Sequence, residues 1–318
     1  MRTEHDPNAI LVIKHGALGD IIQGLDAFAS LRDGNPKSHI AIMTTPAFSS
    51  LFAQMPWFDE VITDPRASAL NLAETLRIRT VLRRSWHCII DMQCSRRTAR
   101  YYQFYVPRQT RWIGTAKNCS DPLPDFTGVN NRDRMLFAAK CAGGTDSLAN
   151  LDWLTHPTDA PETKTTQNPK GQFVVFVAGC SPHRPEKRWP AKNFADVGRV
   201  LSRQGYKIVL VGTAADADII KQVETYFPEA QNLCGQTNLS QLTRLFASAD
   251  FVLGNDTGPI FLAAKSGTPT LVLMGSATIP EAMRPIQKNA DWIHHTTIQS
   301  ITPEQVIAKF QTMMPRQR

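Results

Sequence analysis

The 318 residues, 42% of them hydrophobic and 20% charged, have the composition of a soluble globular protein with enough apolar side chains for two cores. No stretch approaches the roughly 18 apolar residues that a membrane-spanning helix needs. The net charge of +7 would attract polyanions or an acidic membrane surface, although a plain soluble basic protein fits this value too.

Neither the N-terminus nor the cysteines indicate export. The apolar run before Lys14 is too short for the core of a signal peptide, so the chain is expected to be cytoplasmic, with peripheral contact to the cytoplasmic face of the inner membrane left open. The cysteines lack a C-x-x-C pair or a metal-ligand cluster, which predicts free thiols, no disulfide and no structural zinc. They are Cys88, Cys94, Cys119, Cys141, Cys180 and Cys234.

The first predicted strand, residues 10–13, leads through a glycine-containing turn into a helix. From Asp20 onward the apolar side chains follow helical spacing, so Asp20 stands at the helix N-terminus. Position alone favours a capping role for it, although a carboxylate there can also take a proton from a hydroxyl group. The segment G-A-L-G at residues 16–19 lacks the glycine spacing of the dinucleotide-binding fingerprint, so no nicotinamide cofactor is expected.

Strands and helices alternate through the rest of the first half. Strands are predicted at residues 39–43, 61–63 and 87–91, and a helix at residues 67–84. This alternation predicts a parallel sheet covered on both faces, in which ligands bind beyond the carboxyl ends of the strands. Asp20 and Asp91 are expected at such ends.

Arginines and tyrosines concentrate between residues 77 and 111. Arginine pairs with phosphate through two hydrogen bonds, and aromatic rings stack on sugars, so this stretch is a candidate surface for an acceptor or a membrane. A solvated helix face explains residues 77–84 better. For Arg96, Arg97 and Arg100 the two explanations are balanced, and these three are the candidate acceptor-binding residues. The chain contains no recognised nucleic-acid-binding motif, so no nucleic-acid partner is expected.

A stretch rich in proline, threonine and charge, residues 155–170, is the best candidate for a linker. It predicts an N-terminal domain at residues 1–160 and a C-terminal domain at residues 171–318. A final helix begins at Thr302-Pro303 and could pack back on the first domain.

The second half contains two candidate sites. The first is the loop at residues 179–190, where three prolines hold several cations on a non-helical segment; a surface lysine is the ordinary explanation for Lys187. The second is the turn at residues 254–258, between a strand at 251–253 and a helix that ends near Lys265. Such a turn aims backbone N–H groups and a helix dipole at an anion, although Asp256 or Thr257 could simply cap the helix. The strand at residues 271–274 follows.

Three separated segments resemble the ADP-heptose:lipopolysaccharide heptosyltransferases of glycosyltransferase family nine, in the family's order. They are KHGALGDIIQGLDAFASLR, GCSPHRPEKRWP and NDTGPIFLAAKSGTP. The resemblance implies that Asp20 is the general base and that Lys187 faces the donor phosphates. It also implies that a set of residues in the second half binds the donor, namely Ser181, Arg184, Asp216, Asp256, Thr257, Gly258 and Gly275. The sequence departs from the family pattern at one position, where Phe261 replaces the family's histidine.

The resemblance further implies the GT-B fold, two doubly wound, Rossmann-like α/β domains facing across a cleft. The expected activity is inverting transfer of a heptose or a related sugar from an ADP-sugar to lipopolysaccharide core or another anionic glycan, without a metal or cofactor. Two alternatives stay open: a nucleotide-sugar-binding paralogue without catalysis, and another GT-B enzyme such as a sugar-nucleotide epimerase. The replacement of the family's histidine by Phe261 has three possible consequences: a different donor sugar, a less active enzyme, or an unchanged enzyme.

Overall fold

The computed structural model describes residues 8–68, 70–155 and 169–314, and the chain divides into two compact units, Met1–Trp153 and Leu154–Arg318. This division falls just before the predicted linker at residues 155–170, most of which, residues 156–168, lies outside the described residues.

The first unit contains a six-stranded parallel sheet with strand order β3-β2-β1-β4-β5-β6. Its strands are β1 (Ile10–Ile13), β2 (Ile40–Thr44), β3 (Glu60–Thr63), β4 (Cys88–Asp91), β5 (Arg111–Gly114) and β6 (Asp121–Pro122). Its helices are α1 (Leu18–Gln23), α2 (Leu25–Gly34), α3 (Pro46–Phe52), α4 (Leu72–Leu82), α5 (Arg96–Phe104) and α6 (Asn131–Cys141), and α7 (Asp152–Thr155) spans the division between the units. The strand order reverses between β1 and β4, which is where doubly wound sheets bind ligands.

The helix predicted at residues 67–84 is shorter in the structure. It begins only at Leu72, because Arg66 has a positive φ of 52° and Asn71 acts as the N-cap, its side chain accepting a hydrogen bond from the backbone N–H of Glu74. The residues between β3 and α4 therefore form a loop at the carboxyl edge of the sheet.

The second unit repeats this architecture with strand order β12-β11-β10-β7-β8-β9, again parallel throughout. Its strands are β7 (Phe173–Val177), β8 (Lys207–Val211), β9 (Gln231–Asn232), β10 (Phe251–Asn255), β11 (Thr270–Met274) and β12 (Ala290–His294). Its helices are α8 (Ala191–Arg203), α9 (Ala217–Tyr226), α10 (Leu239–Ser248), α11 (Gly258–Lys265), α12 (Pro280–Met283) and α13 (Pro303–Met313). The sequence prediction missed β12, whose residues are mostly only half buried, as befits an edge strand.

The apolar strands are buried on both faces by helices, as a doubly wound sheet requires. The terminal helix α13 packs on the second unit, where Phe310 lies edge-to-face against Phe251 at a centroid distance of 4.8 Å. Helix α11 ends as predicted, because Gly267 has a positive φ of 88°. The predicted fold class, two doubly wound α/β units, is confirmed.

Candidate active site

Asp20 lies in the first turn of α1, just beyond the carboxyl end of β1. Ala17, not Asp20, is the N-cap residue, and no side chain caps this helix, so the capping explanation of Asp20 is wrong. One carboxylate oxygen, Oδ1, accepts a hydrogen bond of 3.2 Å from the amide of Asn131 on α6. The other, Oδ2, lies 3.4 Å from the ammonium nitrogen of Lys14. Two elements therefore hold the carboxylate in place, while 31% of its side chain stays exposed to a substrate.

Lys14 is the buried member of this pair, with only 1% of its side chain exposed. Burial lowers the pKa of Lys14, and the charge of Asp20 acts in the opposite direction. Asp20 is thus both a candidate proton acceptor and the counter-ion of a buried lysine. These two roles predict different consequences of removing the carboxylate.

A second polar network joins the end of β1 to the arginine-bearing helix α5. His15 Nε2 lies 2.9 Å from Asp64 Oδ2, and the Tyr101 hydroxyl donates to the same oxygen at 2.6 Å. Burial acts to raise the pKa of Asp64, but the contact with His15 and the hydrogen bond from Tyr101 outweigh it and lower this pKa to about 2. Arg97 continues the network, donating to the Tyr101 hydroxyl at 3.3 Å and to two backbone carbonyls of the β3–α4 loop. Tyr101 belongs to the arginine- and tyrosine-rich stretch that the sequence indicates, whereas His15 and Asp64 were not predicted as parts of this region.

The three candidate acceptor-binding arginines share one cavity. It has a volume of about 360 Å³ and lies between α4 and α5 at the carboxyl edge of the first sheet. Its lining consists of Asp64, Ala67, Glu74, Thr75, Ile78, Arg96, Arg97, Arg100, Tyr101 and Tyr105. Arg97 is committed to the network described above, whereas Arg96 and Arg100 are exposed. Cations and aromatic rings together suit an anionic sugar.

Asp91 lies at the carboxyl end of β4 but is buried, so it does not face solvent. Its side chain accepts hydrogen bonds from the backbone N–H groups of Gln93 and Cys94 and thereby shapes the turn that leads into α5. Burial is the dominant influence and raises the pKa of Asp91 to about 6, against hydrogen bonds that lower it. We assign Asp91 a structural role.

This raised pKa predicts how stability depends on pH. Because folded Asp91 binds its proton more tightly than unfolded Asp91, its contribution to stability is greatest at low pH and is lost as pH rises from about 4 through 6. Between pH 5 and pH 7 the wild type should lose about 1 kcal/mol relative to Asp91→Asn, which keeps an oxygen acceptor without a charge. Urea unfolding of both proteins at several pH values measures the difference. If the free energies of unfolding of the two proteins change equally with pH, the pKa of Asp91 is not raised and this prediction is wrong.

The second half of the candidate site lies at the carboxyl edge of the second sheet. Lys187, in a 3₁₀ turn at Pro185–Lys187, forms an ion pair of 2.5 Å with Asp256, which follows β10. The hydroxyl of Thr278, in the loop after β11, donates to the same carboxylate oxygen at 2.6 Å. Lys187 and Asp256 are both largely buried. Neither Asp256 nor Thr257 caps α11 with its side chain, so the capping explanation of this turn is also wrong.

Asn255 fixes the loop that carries Lys187. Its amide nitrogen donates to the carbonyls of Ala178 and Gly179 at 2.8 and 3.3 Å, and its side-chain oxygen accepts from the backbone N–H of Trp189 at 3.0 Å. Trp189 is fully buried, and its indole donates to the carbonyl of Ile301 at 2.9 Å, so Trp189 anchors the loop. Asn255 and Thr278 were missed by the sequence analysis, because their partners are distant in the chain.

The remaining predicted donor-binding residues lie around this cluster. Ser181 is exposed, and Arg184 donates to the carbonyl of Ala277 at 3.1 Å, next to Thr278. Asp216 accepts hydrogen bonds from the backbone and hydroxyl of Thr213, and it packs beside Gly179, where an added Cβ would collide with it.

Three further predicted donor-binding residues lie at the carboxyl edge of the second sheet. Thr257 is the N-cap residue of α11, and Gly258 is its first residue. Gly275 is buried so close to Ile298 that a Cβ would lie 2.9 Å from the backbone nitrogen of Ile298, so packing explains glycine there. Phe261 is also buried, in the interior of the second unit.

Comparisons with known proteins agree on one family. Residues 123–309 match the model of glycosyltransferase family 9 (heptosyltransferase). The lipooligosaccharide heptosyltransferase 2 of Haemophilus ducreyi is 25% identical over 96% of this chain and 99% of its own length.

Two solved structures are similar in fold. A family 9 glycosyl transferase from Veillonella parvula has a TM-score of 0.75 at 20% identity, covering 98% of both chains. The Escherichia coli heptosyltransferase WaaC, solved with ADP, has a TM-score of 0.73 at 20% identity, covering 96% of this chain and 99% of its own.

Proposed function

The chain belongs to glycosyltransferase family 9, and we propose that it transfers a heptose or a related sugar from an ADP-sugar to lipopolysaccharide core or another anionic glycan, with inversion at the anomeric carbon. The observation that carries this proposal is the Lys187–Asp256–Thr278 cluster. It brings a largely buried ammonium group to the start of α11, where backbone N–H groups and the helix dipole already favour an anion.

Lys187 is the group that would meet the donor diphosphate. An incoming phosphate would compete with Asp256 for the ammonium group, and Arg184 stands at the rim of the same cluster. As the bond between the anomeric carbon and the diphosphate breaks, negative charge builds on the departing ADP. A fixed cation in a partly buried position stabilises that charge without the reorganisation that water would need. The proposed transfer therefore assigns this task to protein side chains, without a metal or cofactor.

Asp20 is the proposed general base. The acceptor hydroxyl oxygen attacks the anomeric carbon on the face opposite to the diphosphate, and its proton passes to the Asp20 carboxylate. Asn131 and Lys14 keep the carboxylate oriented, and its exposed fraction admits the acceptor. Ser181, Asp216, Thr257, Gly258 and Gly275 remain proposed donor contacts, with Asp216 directed at the ribose.

The acceptor is proposed to occupy the cavity between α4 and α5. Its cationic residues Arg96, Arg97 and Arg100 suit an anionic glycan, and the half-buried Tyr105 offers a ring for a sugar to stack on. Family membership favours this transfer over a non-catalytic paralogue or an epimerase. As part of the proposal, the protein works in the cytoplasm. No helix in the described parts of the chain is both long and apolar enough to cross a membrane.

Nucleotide titration tests the donor assignment first. Isothermal titration of the purified protein with ADP, UDP and GDP should give measurable affinity for ADP and at least tenfold weaker affinity for the other two, because the proposal assigns the donor an adenosine diphosphate. An ADP-heptose turnover assay with candidate acceptors then follows. Preference for UDP or GDP would leave the family intact and reject the ADP-sugar; no binding of any nucleotide would reject the donor site.

A further inference from the structure

Exposed apolar side chains gather on one face of the first unit. Leu72 and Leu76 on α4, Leu70 just before it and Phe104 at the end of α5 are between 58% and 89% exposed. A surface where several large apolar side chains lie together in water is typical of an interaction site. Both helices line the cavity described above, so these four side chains flank one region of the surface.

The segment of the sequence that contains both helices is also strongly basic. Residues 65–111 contain ten arginines and two acidic residues, a net charge of +8 (ten minus two), compared with +7 for the whole chain. One of the two acidic residues, Asp91, is buried, and the other, Glu74, pairs with Arg77. Several of the arginines have no ion-pair partner among the described residues, namely Arg66, Arg79, Arg83, Arg96, Arg100 and Arg108.

The two kinds of side chain form ordered stripes. On α4, Leu72, Leu76 and Arg79 are spaced by four and three residues, which places them on one exposed helix face, and Arg83 continues that spacing. On α5, Arg96, Arg100 and Phe104 repeat at intervals of four. We call these two stripes, with Leu70, the Leu/Arg face.

We propose that the Leu/Arg face docks on an anionic lipid bilayer. Arginines attract the acidic headgroups, and leucines and phenylalanine enter the acyl boundary beneath them, so a bilayer satisfies both parts of the surface. A second copy of the chain would bring two strongly positive faces together and be repelled. Phosphates of a nucleic acid would satisfy the arginines but leave the leucines in water. Of these three partners, only an anionic bilayer therefore matches both the charge and the apolar side chains of the Leu/Arg face.

Docking by this face would also turn the cavity between α4 and α5 toward the membrane. A glycan anchored in the bilayer could then reach Arg96 and Arg100 without leaving the lipid surface. This link to the acceptor rests on the proposed function, whereas the docking itself rests only on the Leu/Arg face.

Vesicle sedimentation of the full chain tests the docking. The probes are vesicles of phosphatidylcholine alone and of phosphatidylcholine with phosphatidylglycerol, at low and high salt. The wild type should bind the anionic vesicles at least tenfold more tightly, and high salt should weaken this binding, because screening reduces attraction to headgroups. The double variant Arg79→Gln with Arg83→Gln should weaken binding to the anionic vesicles about 25-fold, at about fivefold per arginine. Leu72→Ser with Leu76→Ser should weaken the same binding about tenfold.

Matched variants separate this face from the rest of the surface. Leu148→Ser removes an equally exposed leucine of the first unit, and Arg203→Gln with Lys221→Gln removes two exposed cations of the second unit. Both should bind vesicles within twofold of the wild type. Equal binding by the wild type and the Leu72/Leu76 variant would overturn the proposal, as would binding to an RNA duplex in place of the vesicles. ADP titration of every variant reports separately on the donor site, so a failed docking test leaves the proposed function standing.

Discussion

Replacing Asp20 with asparagine should lower kcat by about 10²- to 10⁴-fold, the usual contribution of a positioned proton acceptor. Asparagine keeps the size of the side chain and an oxygen that can still accept from Asn131, so the geometry survives while the basic group is lost. Affinity for ADP should change by less than about twofold, because the proposed donor contacts lie in the second unit. Steady-state kinetics with ADP-heptose and isothermal titration with ADP measure the two quantities.

The alternative role of Asp20, as counter-ion of the buried Lys14, predicts a different pattern. Removing the carboxylate would then leave a buried ammonium group without its anionic partner, and the main cost would be about 1–3 kcal/mol in the free energy of unfolding, with kcat nearly unchanged. Urea unfolding therefore accompanies the kinetics. Adding Lys14→Met to Asp20→Asn should recover the lost stability but not the lost turnover. Recovery of turnover in this double variant would reject the general-base role.

Asp33 provides a matched control for the Asp20 substitution. It lies on α2 in the same unit, is exposed, and accepts hydrogen bonds of 2.7 Å from the hydroxyls of Thr145 and Ser147. These bonds lower its pKa, yet they connect it to no proposed substrate contact. Asp33→Asn should therefore keep kcat within about twofold of the wild type, as surface substitutions away from special features usually do.

Local patterns predicted the parts of the fold that depend on neighbouring residues. The apolar run of β10, the turn after it and the end of α11 at Gly267 were all predictable, because each reflects a short-range rule of burial, glycine or proline. The start of α4 was not, since it depends on the positive φ of Arg66 and the capping bond of Asn71. Edge strand β12 was not predicted, because its side chains are mostly half exposed and lack a clear apolar run.

Contacts within the candidate site follow from strand order, which the sequence does not display. Parallel pairing of β10 with β7 brings the loop after β7 beside the turn after β10, so Lys187 meets Asp256 although 69 residues separate them. In the first unit the order β3-β2-β1-β4 carries Asp64 and His15 into contact in the same way. Resemblance to a family could suggest Lys187 and Asp256 individually; only the fold joins them to each other and to Thr278.

Replacing Lys187 with methionine should weaken ADP binding by about 10- to 100-fold, the worth of one hydrogen bond to a charged group. It should also lower kcat by about 10²- to 10³-fold, because the cation opposes charge that grows as the diphosphate departs. The substitution leaves Asp256 as a buried carboxylate supported by Thr278, so the free energy of unfolding should fall by about 1–3 kcal/mol. Lys192→Met, at an exposed lysine five residues later, should change none of these quantities appreciably.

A double variant distinguishes a catalytic lysine from a merely structural ion pair. Lys187→Met combined with Asp256→Asn removes both charges, so the unpaired buried carboxylate disappears and most of the lost stability should return. Turnover should remain low, because no ammonium group faces the departing diphosphate. If kcat recovers together with stability, the pair serves only to hold the loop at residues 179–190 against β10, and Lys187 loses its proposed role at the diphosphate.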